Sequence, residues 1–235
     1  MRTVIAITAR LGSSRLPNKA LLDVNGKPLI CQLLRRMRAV RGADAVAVAC
    51  PEKDAKAFWK ATSVQPITGP EEDLLTRILN VADELEADKI VRVGADCPLA
   101  PPDGIEAGIK LCEKEKLVQN WRPRIWPDGF DFDIWDVPYL RQLSMKYVNG
   151  DREWFASKAA AETPGIHLRG QYRENLSRWR LTVDYPEDLE VIRAIWRDMG
   201  DEVWGSALVL QWCANNPRWM ATNQKYVSDF GARPK

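Results

Sequence analysis

Short apolar runs alternate with amphipathic stretches along the first half of the chain, and this alternation constrains the fold more than any other feature. Apolar runs of strand length lie at 3–8, 45–49, 64–67 and 90–93. Between them, apolar residues recur at helical spacing in one stripe that begins at Pro28 and in a second over 71–86. Because strands that alternate with helices form crossover units, the sequence predicts an α/β fold, a three-layer αβα arrangement around a mainly parallel sheet.

The pattern changes after residue 120. All the tryptophans except Trp59 lie beyond that point, and prolines and glycines interrupt the periodicity. We interpret 122–175 as an inserted arm within a single domain that covers 1–235. The sheet is predicted to resume with a strand at 179–183, followed by a helix from Pro186 to about residue 198, and the last residues, 231–235, are predicted to be a loose tail.

Composition argues against several classes of protein. Lys and Arg total 34 against 32 for Asp and Glu, so the chain has no general charge bias that would favour nucleic acid or a membrane surface. No apolar run reaches the roughly 20 residues that a membrane span requires, and no secretory leader is recognisable at the start of the chain. We therefore expect a soluble, uncleaved, cytoplasmic protein.

The cysteines and the histidine narrow the chemistry. The five cysteines are scattered without any Cys-x-x-Cys pair, which argues against a disulfide framework and against a zinc site. His167 is the only histidine, so a histidine-rich zinc centre is excluded. Catalysis by this chain would have to rest on carboxylates, arginines, lysines or a metal that they hold.

The loop at 9–19, ARLGSSRLPNK, carries three positive charges beside one glycine and two serines directly after the first predicted strand. These residues are Arg10, Gly12, Ser13, Ser14, Arg15 and Lys19. Guanidinium and ammonium groups bind phosphate oxygens, and small residues allow backbone N–H groups to turn toward an anion. Open α/β sheets bind ligands beyond the carboxyl ends of their strands. The loop therefore predicts a polyphosphate site, with a solvated basic loop as the alternative.

Two aspartates follow predicted strands. Asp96 comes after the run at 90–93, and Asp184 comes after the predicted strand at 179–183. If both strands are parallel, the two carboxylates meet at the edge of the sheet where the basic loop lies. Mg²⁺ is commonly held by one or two carboxylates together with phosphate oxygens and water. The alternative for each aspartate is a turn or helix-capping role.

Taken together, several segments resemble the cytidylyltransferases that make CMP-activated sugar acids. This group includes CMP-N-acylneuraminate synthetases, 3-deoxy-manno-octulosonate cytidylyltransferases and spore-coat polysaccharide cytidylyltransferases, and the chain is most similar to the last type. The resemblance is carried by 5–30, 69–77, 92–99, 128–135 and 180–192.

The resemblance implies a nucleotidyltransferase fold of the nucleotide-diphospho-sugar transferase type, with CTP and Mg²⁺ at its site. By position, the loop residues named above would hold the triphosphate, Asp96 and Asp184 would hold Mg²⁺, and Arg10, Lys19 and Asp96 would serve catalysis. It also implies that the arm binds a small acceptor, such as a sugar acid, or forms a homodimer interface.

The arm departs from the family pattern at two positions. Relatives of the spore-coat type carry Arg-Glu-His where this chain has Trp154 as the third residue, and many relatives carry Glu where this chain has Asp133. The acceptor therefore remains open. Arg77 and Arg92 could reach a substrate or form ion pairs, and the tryptophans of the arm could stack on a ligand or close a core.

Two other functions are compatible with the sequence. A glycosyltransferase of the related fold would hold a metal through an Asp-x-Asp motif, for which only Asp131 and Asp133 qualify. A nucleotide-binding module without catalysis would retain the basic loop and bind CTP without turnover.

Overall fold

The computed structural model describes residues 1–163, 165–168 and 174–229. The strands are β1 Thr3–Thr8, β2 Asp23–Val24, β3 Lys27–Pro28, β4 Ala45–Pro51, β5 Ile67–Gly69, β6 Lys89–Gly94, β7 Leu117–Gln119, β8 Asp133–Asp136 and β9 Ile166–His167. The helices are α1 Leu29–Arg38, α2 Ala55–Thr62, α3 Leu74–Glu84, α4 Pro102–Leu111, α5 Val137–Lys146, α6 Phe155–Glu162, α7 Pro186–Met199, α8 Ser206–Asn215 and α9 Pro217–Thr222.

Within the described residues, one seven-stranded sheet has the order β5-β4-β1-β6-β8-β7-β9. Strands β5, β4, β1 and β6 are parallel neighbours, whereas β8 pairs antiparallel with both β6 and β7. The chain moves outward from β1 to β4 and β5 and then returns to the other side of β1 with β6. Strands β1 and β6 therefore flank a point where the strand order reverses, which is where ligand crevices form in such sheets.

Both faces of the sheet are covered by helices. Along β1, Val4 and Ala6 pack with α3, α5 and α6, whereas Ile5 and Ile7 pack with α1, α2 and α4. This alternation follows from the two-residue period of a strand. A third apolar cluster joins α7, α8 and α9 beside the sheet. No helix in the described ranges combines the length and the apolar composition needed to cross a bilayer.

Most of the predicted elements are present with shifted ends. The first strand matches its predicted bounds, and β4 and β6 extend their predicted runs by one or two residues. The predicted strand at 64–67 begins only at Ile67. Helix α3 starts later than predicted because the Asp73 carboxylate accepts a hydrogen bond from the Thr76 N–H at 2.8 Å, which caps the helix there.

The predicted strand at 179–183 was wrong. Only Arg180 forms a bridge, with Asp128. The segment is extended, but its backbone groups bond to loops: the Leu181 N–H donates to the Asp128 carbonyl and the Val183 N–H to the Asp96 carbonyl. These partners do not continue along a neighbouring strand, so no ladder forms. Leu181 and Val183 are nevertheless buried, which explains the strand-like apolar pattern.

The region 122–175, interpreted as an inserted arm, contributes to the sheet itself. Its strand β8 lies between β6 and β7, and β9 pairs with β7 at the edge. The remainder includes α5 and α6, which cover one face of the sheet. The predicted tail at 231–235 lies outside the described residues.

Gly129 provides a test of how tightly the turn at residue 128 packs against the extended segment at 179–183. Its φ is +100°, and a Cβ there would lie 2.3 Å from the backbone of Leu181 and Thr182. We expect Gly129→Ala to lower the free energy of unfolding by at least about 2 kcal/mol, measured by urea denaturation. The control is Gly150→Ala, whose Cβ would meet nothing within 4 Å. Equal stability of the two variants would contradict this packing.

Candidate functional site

A cavity of about 520 Å³ opens at the carboxyl ends of β1 and β6. Its position matches the point where the strand order reverses. All eight predicted site residues line it: Arg10, Gly12, Ser13, Ser14, Arg15, Lys19, Asp96 and Asp184. The structure thus brings the basic loop and the two aspartates, which are separated by up to 174 positions in the sequence, into one cavity.

Hydrogen bonds at both ends hold the basic loop in a compact shape. The Leu11 N–H donates to Asp54 Oδ2 at 3.0 Å. The Leu11 carbonyl then accepts from the N–H groups of Ser13 at 2.8 Å and Asn18 at 3.2 Å. Asn18 has a left-handed φ of 56°, and a single 3₁₀ turn, Lys19–Leu21, follows it. The loop therefore closes on itself and directs Lys19 back into the cavity.

The Lys19 ammonium lies between the two aspartates. Its Nζ donates to Asp96 Oδ2 and to Asp184 Oδ1, each at 2.8 Å. Arg15 Nη2 also contacts Asp184 Oδ1, at 3.0 Å. Burial disfavours the charged forms, but the opposite charges outweigh it, so the pKa of Lys19 is raised and the pKa of Asp96 is held below its ordinary value. Lys19 is therefore a charged partner of both carboxylates.

The two aspartates meet because of backbone contacts beyond the end of β6. The Asp96 carbonyl accepts from the Val183 N–H at 2.8 Å and from Thr182 Oγ1 at 3.0 Å. Gly94 makes room for the Asp96 side chain, since a Cβ at Gly94 would lie 2.3 Å from Asp96 Oδ1. From the sequence, these carboxylates were expected to follow two parallel strands. The structure achieves the juxtaposition with an extended loop instead.

These two carboxylates are also the donor set that could hold a metal. Asp96 Oδ2 and Asp184 Oδ1 converge on one position, which the Lys19 ammonium shares. No group of three or more His, Cys, Asp or Glu side chains suited to a metal exists in the described part of the chain. Two convergent carboxylates fit a cation such as Mg²⁺, because Mg²⁺ takes one or two protein carboxylates and completes its shell with phosphate oxygens and water.

Glu153 is a cavity residue that the sequence analysis did not select. One carboxylate oxygen lies 3.5 Å from Arg10 Nη1, and the other accepts from Arg77 Nη2 at 3.2 Å and from the Leu74 N–H at 2.9 Å. Arg77 also donates to the carbonyls of Pro70 and Glu71. Glu153 therefore links the basic loop to the start of α3. The sequence signal that could have identified Glu153 was the Arg-Glu pair at 152–153, which matches the first two residues of the spore-coat pattern.

The preceding residue, Arg152, explains why this Arg-Glu pair lies where it does. Arg152 Nε donates to Asp73 Oδ2 and Nη2 donates to Thr76 Oγ1, each at 2.7 Å. Its Nη1 donates to the Ser144 carbonyl, also at 2.7 Å. Arg152 thus fastens the arm to the first turn of α3 and leaves the next two side chains, Glu153 and Trp154, at the cavity wall.

Arg92 and Asp133 form a pair at the wall of the cavity. Arg92 Nε donates to Asp133 Oδ1 at 2.9 Å, and Nη2 contacts Oδ2. Asp133 is fully buried and also accepts from the indole N–H groups of Trp121 and Trp135. Arg92 is partly exposed and lines the cavity. One edge of the Arg92 guanidinium therefore forms an ion pair, which was one of the two roles considered for it from the sequence. Trp121 and Trp135 belong to the core, which was one of the two roles considered for these tryptophans.

The Asp-x-Asp motif has both carboxylates occupied. Asp131 forms a two-pronged contact with Arg124, at 2.9 and 2.6 Å, and Asp133 is bound by Arg92 and the two indoles. Neither belongs to a potential metal group among the described residues. The motif that would support a glycosyltransferase is therefore used here for internal contacts.

Arg180 was not selected from the sequence either, although it belongs to the segment at 180–192. Its side chain is buried and contacts three carboxylates, including that of Asp184. The signal in the sequence was an arginine within a strand-like apolar run. An arginine in such a run is buried, and a buried guanidinium requires carboxylate partners.

The sequence is similar to known cytidylyltransferases. The family model described as "Cytidylyltransferase" matches residues 4–123. A 3-deoxy-manno-octulosonate cytidylyltransferase of Anaeromyxobacter sp. (strain Fw109-5) is 36% identical over 115 residues, which is 48% of this chain and 47% of that protein. An 8-amino-3,8-dideoxy-manno-octulosonate cytidylyltransferase of Shewanella sp. (strain W3-18-1) is 30% identical over 120 residues, 49% of each chain. The matched region thus spans about half the length of these curated relatives.

Solved structures confirm the predicted fold class. A cytidylyltransferase from Leptospira borgpetersenii serovar Hardjo-bovis (strain JB197) superimposes with a TM-score of 0.86 at 23% identity, covering 94% of this chain and 97% of the other. A CMP:2-keto-3-deoxy-manno-octonic acid synthetase complexed with CTP gives a TM-score of 0.67 at 20% identity, covering 85% of this chain and 100% of the other. Both are nucleotidyltransferases with the nucleotide-diphospho-sugar transferase-like fold.

The lowered pKa of Asp96 predicts a pH dependence of stability. A carboxyl group whose pKa is lowered by folding stabilises the folded chain at pH values above its ordinary pKa of about 3.9. This stabilisation is lost as the pH falls through the lowered pKa. In EDTA, the difference in unfolding free energy between wild type and Asp96→Asn should therefore shrink from pH 5 to pH 3. Glu113→Gln, at an exposed position, is the control. A difference for Asp96→Asn that does not change with pH would contradict the ion-pair geometry.

Proposed function

The chain belongs to the cytidylyltransferase family, and on that premise we propose that it transfers CMP from CTP to a hydroxyl group of a small acceptor and releases pyrophosphate. One observation carries this proposal. Arg10, Arg15 and Lys19 lie in the same cavity as Asp96 and Asp184, so the cations that bind a triphosphate are beside the carboxylates that hold a metal.

The reaction requires positioning and charge stabilisation, which the cavity residues can supply. The oxygen of the acceptor hydroxyl forms a bond to the α-phosphorus and gives up its proton to water. The bond from the α-phosphorus to the bridging oxygen breaks, and pyrophosphate leaves with that electron pair. Negative charge grows on the leaving group. Arg15 and Lys19 are placed to neutralise it, and such preorganised donors are usually the largest contribution to catalysis of this type. No covalent nucleophile and no histidine base is required.

Asp96 and Asp184 would hold Mg²⁺, which would supply a Lewis acid for the phosphate groups and the attacking hydroxyl. Lys19 now shares the position between these two carboxylates. We propose that the ammonium exchanges this contact for phosphate oxygens when the triphosphate binds. Among the described residues, Arg10 forms one ion pair, of 3.5 Å to Glu153, and can likewise turn toward phosphate.

We propose a sugar acid as the acceptor. Arg92 supports this assignment because Asp133 occupies its Nε and Nη2 edge, while its Nη1 group donates no hydrogen bond within the described ranges. The remaining donors of a cavity-lining guanidinium suit a carboxylate. The names of the curated relatives, which include two octulosonate cytidylyltransferases, point to the same acceptor class. We also propose that the chain is of the spore-coat type.

We also propose that the protein acts as a cytoplasmic homodimer through the arm. Met145 and Val148, at the end of α5 and just beyond it, are 78% and 63% exposed. Exposed apolar side chains that lie close together are a feature of protein interfaces. The arm would then carry both the subunit contact and, through Glu153 and Trp154, part of the cavity wall.

The nucleotide assignment is tested by pyrophosphate release. We expect release from CTP, and not from ATP, GTP or UTP, with at least one member of a panel of keto-sugar acids. Lys19→Ala and Asp96→Asn should keep the fold, checked by circular dichroism, and lose turnover about 10²–10³-fold. Wild-type rates in both variants would overturn the site. CTP binding without turnover on any acceptor would favour the non-catalytic module, and nucleoside diphosphate release from a nucleotide sugar would favour a glycosyltransferase.

The acceptor assignment is tested by Arg92→Gln. Loss of the guanidinium should raise the KM for the sugar acid at least about 10-fold, because a charge-assisted contact contributes roughly 1.5–3 kcal/mol, and should leave the KM for CTP within about twofold. Steady-state kinetics with each substrate varied in turn measure both values. The control is Arg38→Gln, at an exposed position on α1. A rise in the KM for CTP alone would assign Arg92 to the nucleotide.

A further inference from the structure

Arg180 is surrounded by three carboxylates. Its Nη1 donates to Asp128 Oδ2 at 2.8 Å, and Nη2 donates to Asp184 Oδ2 at 3.0 Å. Asp188 receives a two-pronged contact, from Nε at 2.9 Å and from Nη2 at 3.1 Å. The side chain is only 2% exposed, and Arg180 is not among the residues that line the cavity. It therefore cannot act by touching a substrate there.

Arg180 determines which oxygen of Asp184 faces the cavity cations. Oδ2 of Asp184 accepts from Arg180, whereas Oδ1 accepts from Lys19 and contacts Arg15. A carboxylate held on one side by a buried donor cannot rotate freely. Oδ1 is consequently the oxygen presented at the position shared with Asp96.

The backbone of Asp184 is fixed by the same cluster. Asp188 Oδ2 accepts from the N–H of Asp184 at 2.9 Å and from the N–H of Tyr185 at 3.0 Å. Asp188 is fully buried and is itself held by Arg180 and by Asn223 Nδ2. One guanidinium therefore stabilises both the side chain and, through Asp188, the main chain of Asp184.

We infer that Arg180 is a positioning residue that sets the orientation of the Asp184 carboxylate for metal binding. The inference rests on the proposed function, in which Asp184 is a metal ligand. Partners that orient a ligand from behind commonly control metal affinity. Arg180 also bonds to Asp128 of the arm, so the metal ligand and the arm are held by the same side chain.

The test compares CTP affinity in Mg²⁺ with CTP affinity in EDTA, both by isothermal titration calorimetry. The ratio of the two affinities isolates the contribution of the metal. We expect Arg180→Lys to lower this ratio about 10-fold or more, because an ammonium is a single point charge that cannot reproduce a planar fork across three carboxylates. The affinity in EDTA should stay within about twofold of wild type.

The matched control is Arg36→Lys. Arg36 is a fully buried arginine on α1 whose Nη2 donates to the carbonyls of Ala100 and Trp204, and it does not line the cavity. Its replacement should leave the ratio unchanged, although it can lower stability. A ratio for Arg180→Lys equal to that of wild type would overturn the inference, as would an equal loss in both media.

A variant that cannot fold would not end the test. If Arg180→Lys does not fold, the double variant Arg180→Gln with Asp128→Asn removes one buried charge of each sign, so the net charge of the cluster is unchanged. The same reduction of the ratio is expected, and a wild-type ratio overturns the inference. If wild type itself shows no Mg²⁺ effect, the metal assignment of the proposed function fails and the inference fails with it. Absent pyrophosphate release with a normal Mg²⁺ effect refutes the activity alone.

Discussion

The site depends on one electrostatic contact, the Lys19 ammonium between the carboxylates of Asp96 and Asp184. Both distances are 2.8 Å, and the lysine side chain is largely buried. Two carboxylates this close would repel each other without a cation between them, because the local dielectric is lower than that of water. The same contact ties together the basic loop, the end of β6 and the segment before α7. In the proposed reaction, the two carboxylates would hold Mg²⁺ and the ammonium would turn to phosphate oxygens.

The surroundings of Asp184 show why so many charged groups can be buried here. Arg180 forms ion pairs with Asp184, Asp188 and Asp128, and this shared guanidinium offsets part of the cost of burying the three carboxylates. Burial and the neighbouring Asp131 raise the pKa of Asp128 to about 7, against the opposing effect of Arg124 and Arg180. Three carboxylates around one guanidinium give the cluster an excess of acidic groups.

Trp154 stands where spore-coat relatives carry a histidine, and the two residues before it form ion pairs with Asp73 and Arg77. Arg152 and Glu153 hold the first turn of α3 and the basic loop, while Trp154 lies at the cavity wall. Asp133, the shortened carboxylate, is fully buried behind Arg92. The two departures from the family pattern thus lie at the cavity wall and behind it. The basic loop, Asp96 and Asp184 all line the cavity, as expected from the sequence.

The sequence by itself determined the layered sheet, the basic loop and the identity of the two aspartates, because hydrophobic periodicity and charged residues at strand ends are local signals. It did not reveal that 179–183 is a loop, that β8 of the arm lies inside the sheet, or that Glu153 and Arg180 hold the site. Those features arise from contacts between distant segments, such as the Asp96 carbonyl with Val183. A buried strand and a buried extended loop have the same apolar pattern, and only the tertiary structure decides which backbone groups pair.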